Sequence, residues 1–114
     1  MKQIITLRDS SLGEEAREYA RDRAEHLRHY FERITSIEII LSVTTNHTNL
    51  KRAEFILHPS RGAILVATAE SEEIRTAIDR AHSEAKRELV KHKERLTDHH
   101  RERRDKARRR DRIL

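Results

Sequence analysis

Hydrophobic residues along the chain recur with two spacings, and the change from one to the other separates strands from helices. Over residues 36–43 apolar side chains alternate with mostly polar ones, which is the period of a half-buried strand. Residues 52–58 alternate in the same way, and residues 2–8 form a shorter β-prone run. These three segments are predicted to be strands.

A proline and a glycine mark a turn after the third of these strands. In Pro59-Ser60-Arg61-Gly62 the proline presets φ and the glycine accepts a positive φ, so the sequence predicts a tight turn. The apolar run over residues 63–69 then predicts a fourth strand. The short turn should pair the third and fourth strands as an antiparallel hairpin.

Two longer segments carry apolar residues at three- and four-residue steps, the spacing of an amphipathic helix. The first is predicted from Ser11, which has capping-box spacing with Glu14, to about residue 33. The second is predicted from residue 72 to about residue 96, with Ser71 as its cap. The first stripe contains Leu12, Ala16, Tyr19, Ala20, Ala24, Leu27 and Phe31. The second contains Ile74, Ala77, Ile78, Ala81, Ala85, Leu89, His92 and Leu96.

The resulting order of elements, β-α-β-β-β-α, predicts an α+β fold. The economical arrangement is one four-stranded sheet with both helices packed on a single face. The length of 114 residues fits one compact domain. We assign residues 1–97 to this domain and residues 98–114 to a basic C-terminal tail, which is expected to be flexible or a fraying helix.

Charge is distributed unevenly along the chain. Residues 1–85 contain 12 Lys and Arg against 14 Asp and Glu, whereas residues 86–114 contain 13 against 6. A near-neutral body with a basic end is typical of a protein that binds a polyanion, although a well-solvated tail has the same composition. Because the positive charge begins inside a patterned helix, we favour nucleic acid as the partner.

The sequence offers little for catalysis. It contains two glycines and no cysteine, and it has no glycine-rich phosphate loop, no Gly-x-Ser-x-Gly elbow and no thiol nucleophile. His26 and His29 are three residues apart and His99 and His100 are adjacent, but neither pair has a third ligand at a recognised zinc spacing. We therefore predict a binding protein with no enzymatic activity, no cofactor, no metal site and no small-molecule substrate.

No apolar run approaches the ~20 residues that a membrane span requires. The first residues also lack the hydrophobic core of a secretory signal, and the absence of cysteine suits a reducing compartment. The protein is expected to be soluble and cytoplasmic, without a membrane partner.

Basic residues on both predicted helices form rows beside the apolar stripes and are the candidate nucleic-acid contacts. On the second helix, at steps of seven and four with a flanking pair, they are Arg80, Lys86, Arg87, Lys91, Lys93 and Arg95. On the first helix they are Arg17, Arg21 and Arg28, where intervening glutamates make an ordinary solvated face an equal alternative. A basic row beside an apolar stripe lets a helix pack on the sheet while it faces phosphates.

The kind of nucleic acid follows from what the sequence lacks. It has four aromatic residues, and Tyr19, Phe31 and Phe55 lie on predicted core positions, so base stacking is a poor prospect. No zinc finger or basic zipper pattern is present. Recognition of backbone geometry in folded RNA remains, and its affinity should fall by roughly 0.7 to 0.9 log units per log unit of salt for each phosphate contact.

Several segments resemble the bacterial ribosome hibernation-promoting factors, also called ribosome-associated inhibitors or ribosomal subunit interface proteins. The resemblance covers residues 2 to about 100, and Ala53-Glu54 opens the third strand as in that family. The stronger landmarks are Leu27-Arg28-His29-Tyr30-Phe31-Glu32-Arg33-Ile34, Ala77-Ile78-Asp79, and Leu89-Val90-Lys91-His92-Lys93-Glu94-Arg95-Leu96. Together these segments are fairly specific for the family.

The resemblance implies a fold similar to the double-stranded RNA-binding domain. It also implies binding to the small ribosomal subunit and its rRNA, in competition with mRNA and tRNA, and reversible silencing of idle ribosomes under stress. The basic residues of the second helix would contact the rRNA. Two departures from the family are Arg75, where many members have tyrosine, and the arginine-rich tail, which stands where long members have a second domain.

Two other functions remain open at this point. Relatives have been described as sigma-factor modulators, so a transcription modulator is one alternative. A histidine-dependent ribonuclease is the other, and the missing ligand triad argues against it. For the tail, the hypothesis is that residues 98–114 run along rRNA or the mRNA path.

Overall fold

The computed structural model describes the backbone of residues 2–44 and 49–113, and the side chains of residues 2–44 and 49–95. The elements follow the predicted order, with a 3-10 turn at Ser10–Leu12 ahead of the first helix. They are β1 Lys2–Leu7, α1 Gly13–Tyr30, β2 Ile34–Val43, β3 Lys51–Pro59, β4 Leu65–Ser71 and α2 Ile74–Ile113. The predicted α+β class is confirmed.

The four strands form one sheet in the order β1-β2-β3-β4. β1 and β2 are parallel because α1 connects them, whereas the β2–β3 and β3–β4 pairs are antiparallel, as the predicted hairpin requires. One cross-strand row joins Ile5 to Ile39, Ile39 to Phe55 and Phe55 to Ala67. This row lies on the face of the sheet that the helices cover.

Both helices pack on that one face. Phe55 of β3 is fully buried there, while Ile4 and Val66, which point to the other face, are exposed. Small residues such as Ala20 of α1 and Ala81 of α2 bring the helices close to the sheet, because they hold no bulk between the backbones. The opposite face of the sheet is open, so the helices form the other broad surface of the molecule.

The first helix begins and ends differently from the prediction. Asp9 is the capping residue, and its Oδ1 accepts a hydrogen bond from Ser11 N at 2.9 Å at the start of the 3-10 turn. The capping box predicted from Ser11 was wrong, because the N-cap of α1 is Leu12, whose apolar side chain cannot accept. The helix ends at Tyr30 rather than residue 33, since Phe31 is already extended.

The second helix also departs from its predicted limits. Ser71, predicted as its cap, is the last residue of β4 and lies opposite Lys51, and the helix begins at Ile74. Its end, predicted near residue 96, lies at Ile113. The apolar stripe marks the part of a helix that packs on a core, so the end of the stripe did not mark the end of the helix.

The turn between β3 and β4 is held against α2. Gly62 has φ of 92°, and a Cβ at this position would lie 2.3 Å from Cε1 of His92. His92 Nε2 donates a hydrogen bond to the carbonyl oxygen of Arg61 at 2.7 Å. Glycine is therefore required here both by its backbone conformation and by the closeness of the imidazole.

Candidate nucleic-acid interface

The basic candidates on α2 divide into two rows, one on each side of its buried stripe. At about 100° per residue, Arg80, Arg87, Lys91 and Arg95 fall on one side, and Lys86 and Lys93 fall on the other. Contacts identify the two sides. Arg80 Nη1 lies 3.4 Å from the carbonyl oxygen of Glu70 in β4, whereas Lys86 lies over the ring of Tyr30 in α1. We call these rows the β4-side row and the α1-side row.

The candidates on α1 lie on a third surface. Arg17, Arg21 and Arg28 share the flank of α1 that faces away from α2, by the same helical spacing. Glu25 lies beside this row, and its Oε1 accepts a hydrogen bond from Gln3 of β1 at 2.6 Å. The α1 helix itself therefore separates these arginines from the basic rows of α2.

Acidic neighbours lie within reach of several candidates. On α2, Arg87 is 3.4 Å from Glu84 and Lys91 is 3.8 Å from Glu88, each within one helical turn. On α1, Arg17 and Arg28 contact Glu14 and Glu25 at 3.5 and 3.6 Å. These pairs lie at the surface, with Arg17 and Glu88 partly buried and the other side chains exposed. Ion pairs near solvent are weak, so a phosphate can replace the carboxylate at little cost.

Between the two helices lies a group of side chains that we call the interhelical cluster. Its members are Tyr19, Arg23, His26 and Tyr30 of α1 with Arg75, Asp79, His82 and Lys86 of α2. At one end the Tyr19 hydroxyl donates to Asp79, and Arg23 Nη2 lies 3.1 Å from the same carboxylate. The Arg75 guanidinium lies over the Tyr19 ring at 4.5 Å from its centroid.

His82 occupies the middle of the cluster and is buried, with 7% of its surface exposed. Its Nε2 lies 3.1 Å from Nδ1 of His26, so one of these two nitrogens carries the shared proton. The pKa of His82 is lowered from 6.5 to about 4, first by burial and then by the nearby charges of Arg23, His26 and Lys86, with Asp79 opposing the shift. The imidazole is therefore neutral near pH 7.

Tyr30 and Lys86 form the far end of the cluster. The Lys86 ammonium lies 4.3 Å from the centroid of the Tyr30 ring, a cation–π contact. The rings of Phe31 and His26 lie 4.9 and 6.4 Å from it. Tyr30 nevertheless keeps 55% of its surface exposed, so its neighbours orient the ring without covering it.

A shallow cavity of about 490 Å³ lies on the outer flank of α1, lined by Glu25, Arg28, His29, Glu32 and Ile34. Its two carboxylates outnumber its one arginine, which makes it a poor site for an anion. In the part of the chain that the structure describes, no three histidine, aspartate or glutamate side chains converge as metal ligands. His26 instead pairs with His82, and the side chains of His99 and His100 lie outside the described residues.

Comparison with known proteins identifies the family. Residues 3–97 match the family described as Sigma 54 modulation protein / S30EA ribosomal protein. The chain belongs to this family. It is 40% identical over 79 residues to a ribosome hibernation promoting factor of Azotobacter vinelandii, covering 68% of this chain and 69% of that protein. It is 32% identical over 100 residues to the factor of the same name from Escherichia coli K12, covering 87% of this chain and all of that protein.

Two solved structures have the same fold as this protein. A ribosomal subunit interface protein from Coxiella burnetii superimposes with a TM-score of 0.70 at 19% identity, covering 82% of this chain and 98% of that one. The N-terminal domain of Protein Y from Thermus thermophilus gives 0.62 at 20% identity, covering 77% and 91%. Residues 98–114 lie outside the family match, and the division at residue 97 stays a prediction.

Sequence reasoning missed part of the site in this family member. It identified Lys86 but not its partner Tyr30, and it noted Arg75 as a departure without placing it on Tyr19. No sequence signal marked this contact: by helical spacing Tyr30 lies on the same flank of α1 as Leu12 and Tyr19, so the apolar pattern indicates neither its exposure nor its partner. In the described residues no helix is both long and apolar enough to cross a membrane.

Proposed function

We propose that this protein binds the small ribosomal subunit and silences idle ribosomes by occupying the channel used by mRNA and tRNA. The observation that carries the proposal is its similarity to ribosome hibernation promoting factors, one of which it matches over that protein's full length. On this proposal it works in the cytoplasm, by occupancy rather than catalysis. Folded rRNA is the contact surface.

The distribution of charge supports the helical side as the binding face. The two basic rows of α2 lie on the surface that the helices form, while exposed apolar residues such as Ile4 and Val66 lie on the open face of the sheet. The first surface attracts phosphates, whereas on the second Lys2 and Arg52 are offset by Glu38, Glu54 and Glu70. The nine candidate residues on α1 and α2 remain the proposed contacts, now as three rows.

The experiment compares charge-matched double variants in a ribosome pelleting assay across a salt series. Lys86→Glu with Lys93→Glu reverses the α1-side row, and Arg87→Glu with Lys91→Glu reverses the two middle residues of the β4-side row. Lys2→Glu with Arg52→Glu makes the same change in net charge on exposed residues of the open sheet face and is the control. If the two reversed residues each contact a phosphate, the slope of log K against log salt should be smaller in magnitude in that variant than in wild type by about 1.5.

Competition then tests where on the ribosome the protein binds. Excess tRNA should release wild-type protein from isolated small subunits, since both would occupy the same channel. If both helix variants pellet as well as wild type while the control does not, the proposed face is wrong. If wild type does not pellet with ribosomes at all but binds a sigma factor, the transcription alternative replaces the proposal.

A further inference from the structure

Tyr30 differs from the other aromatic residues of the protein in how much of its ring meets solvent. Phe55 is fully buried, and Tyr19 and Phe31 are half-buried against the core. Tyr30, the last residue of α1, is 55% exposed although it lies on the flank that faces α2. A large exposed ring that neighbouring side chains hold in place, and that the core does not need, is suited to contact a partner.

The charges around this ring favour a nucleotide as that partner. The interhelical cluster holds three cations against the single carboxylate of Asp79, so it is positive overall; Arg23 and Arg75 lie at its Tyr19 end and Lys86 lies at its Tyr30 end. Lys86 lies directly beside the ring. An apolar protein surface that packed on Tyr30 would gain little from the Lys86 ammonium, whereas an unpaired nucleotide presents both a π-face and a phosphate.

We propose that Tyr30 stacks on an unpaired base of the bound RNA while Lys86 contacts a phosphate of the same strand. This inference rests on the proposed function and deepens it, because it adds base contact to recognition of the RNA backbone. His26 and Phe31 position the ring, and Lys86 moves from the ring to the phosphate when RNA binds. The ring requires no sequence-specific hydrogen bond, so the contact tolerates any base.

The salt dependence of ribosome binding separates the two contacts. Tyr30→Ala should weaken binding by about fivefold to a hundredfold and leave the slope of log K against log salt unchanged, since stacking releases no counterions. Lys86→Ala should lower that slope by about 0.8. Tyr30→Phe is the matched control and should bind like wild type, because a phenyl ring also stacks.

A second measurement uses tyrosine fluorescence and a short single-stranded oligoadenylate. The chain has no tryptophan and two tyrosines, so its emission reports Tyr19 and Tyr30. Oligoadenylate should quench wild type and should not quench Tyr30→Phe, in which Tyr19 alone emits. Thermal unfolding of the variants confirms that they fold.

The outcomes distinguish this inference from the proposed function. If wild type binds ribosomes and folded Tyr30→Ala binds equally well, the stacking contact is wrong and the proposed function stands. If Tyr30→Phe loses as much affinity as Tyr30→Ala, the hydroxyl and not the ring makes the contact, which also overturns it. If Tyr30→Ala loses ribosome affinity but oligoadenylate does not quench the wild-type emission, Tyr30 contacts a ribosomal protein and not RNA, which also overturns the inference. If wild type does not bind ribosomes, the proposed function itself fails.

Discussion

The buried imidazole of His82 should make the fold sensitive to acid in a predictable range. Its pKa is about 4 in the folded protein and 6.5 in an unfolded chain. Between these values the unfolded chain binds a proton that the folded protein does not, so stability falls as the pH falls. The contribution is present above pH 6.5 and is lost progressively as the pH decreases toward 4.

The size of the effect follows from the shift. One pKa unit corresponds to about 1.36 kcal/mol, so the total loss cannot exceed about 3 kcal/mol. From pH 7 to pH 5 the free energy of unfolding should decrease by about 2 kcal/mol through this residue. That is a large fraction of the stability expected of a domain this small.

Urea unfolding followed by circular dichroism at pH 7 and pH 5 measures this loss. The matched variant is His82→Gln, which keeps a polar side chain in the site but does not titrate. Groups remote from the site contribute equally in both proteins, so the difference between the two pH responses reports His82 together with its hydrogen-bonded partner His26. Equal losses of stability in wild type and variant would refute the assignment of a neutral, buried imidazole.

Two further predictions concern stability. Gly62→Ala should reduce the free energy of unfolding by about 1 to 3 kcal/mol, because it combines a positive φ with a Cβ 2.3 Å from His92. In a His92→Ala background, where the steric conflict is removed, the same substitution should cost about 1 kcal/mol. Urea unfolding measures both costs, and equal values in the two backgrounds would contradict the prediction. Phe55→Ala should cost about 3 to 5 kcal/mol, because the ring is fully buried beneath α2, next to His82. A loss below about 1 kcal/mol in the same assay would show that the ring does not fill the core.

Local patterns predicted the elements of this fold because each element buries one face. The alternation over residues 36–43 records which side chains of β2 face the helices, and Ile37, Ile39 and Leu41 are indeed buried. The turn before β4 was predictable because Gly62 needs a positive φ. Hydrophobic period and turn chemistry are properties of a few neighbouring residues, so a single sequence contains them.

The ends of the helices and the contacts between elements were harder to predict from the sequence. The capping hydrogen bond is made by Asp9, at the start of the 3-10 turn that precedes the first helix, and not by Ser11; both residue types can accept a backbone hydrogen bond, and sequence spacing alone does not choose between them. The helix continued past residue 96 after its apolar stripe stopped. Contacts such as Lys86 with Tyr30 depend on how α1 and α2 register against each other, which the pattern of each helix leaves undetermined.

The candidate residues were predictable as types and positions, but their grouping was not. The sequence favoured one basic face on α2, and helical geometry with the contacts of Arg80 and Lys86 divides it into two rows. The row of Arg17, Arg21 and Arg28 lies on a different surface. Net charge and spacing favour a polyanion as the partner, while the packing of the helices determines which surface each row occupies.

A cryo-electron microscopy map of the protein bound to the small ribosomal subunit tests the central claim most directly. Our account predicts density in the mRNA and tRNA channel, with α1 and α2 against rRNA, both basic rows of α2 within reach of phosphates and the open sheet face turned away. Density outside that channel, or a sheet face packed on rRNA with Lys86 and Arg87 in solvent, would contradict it.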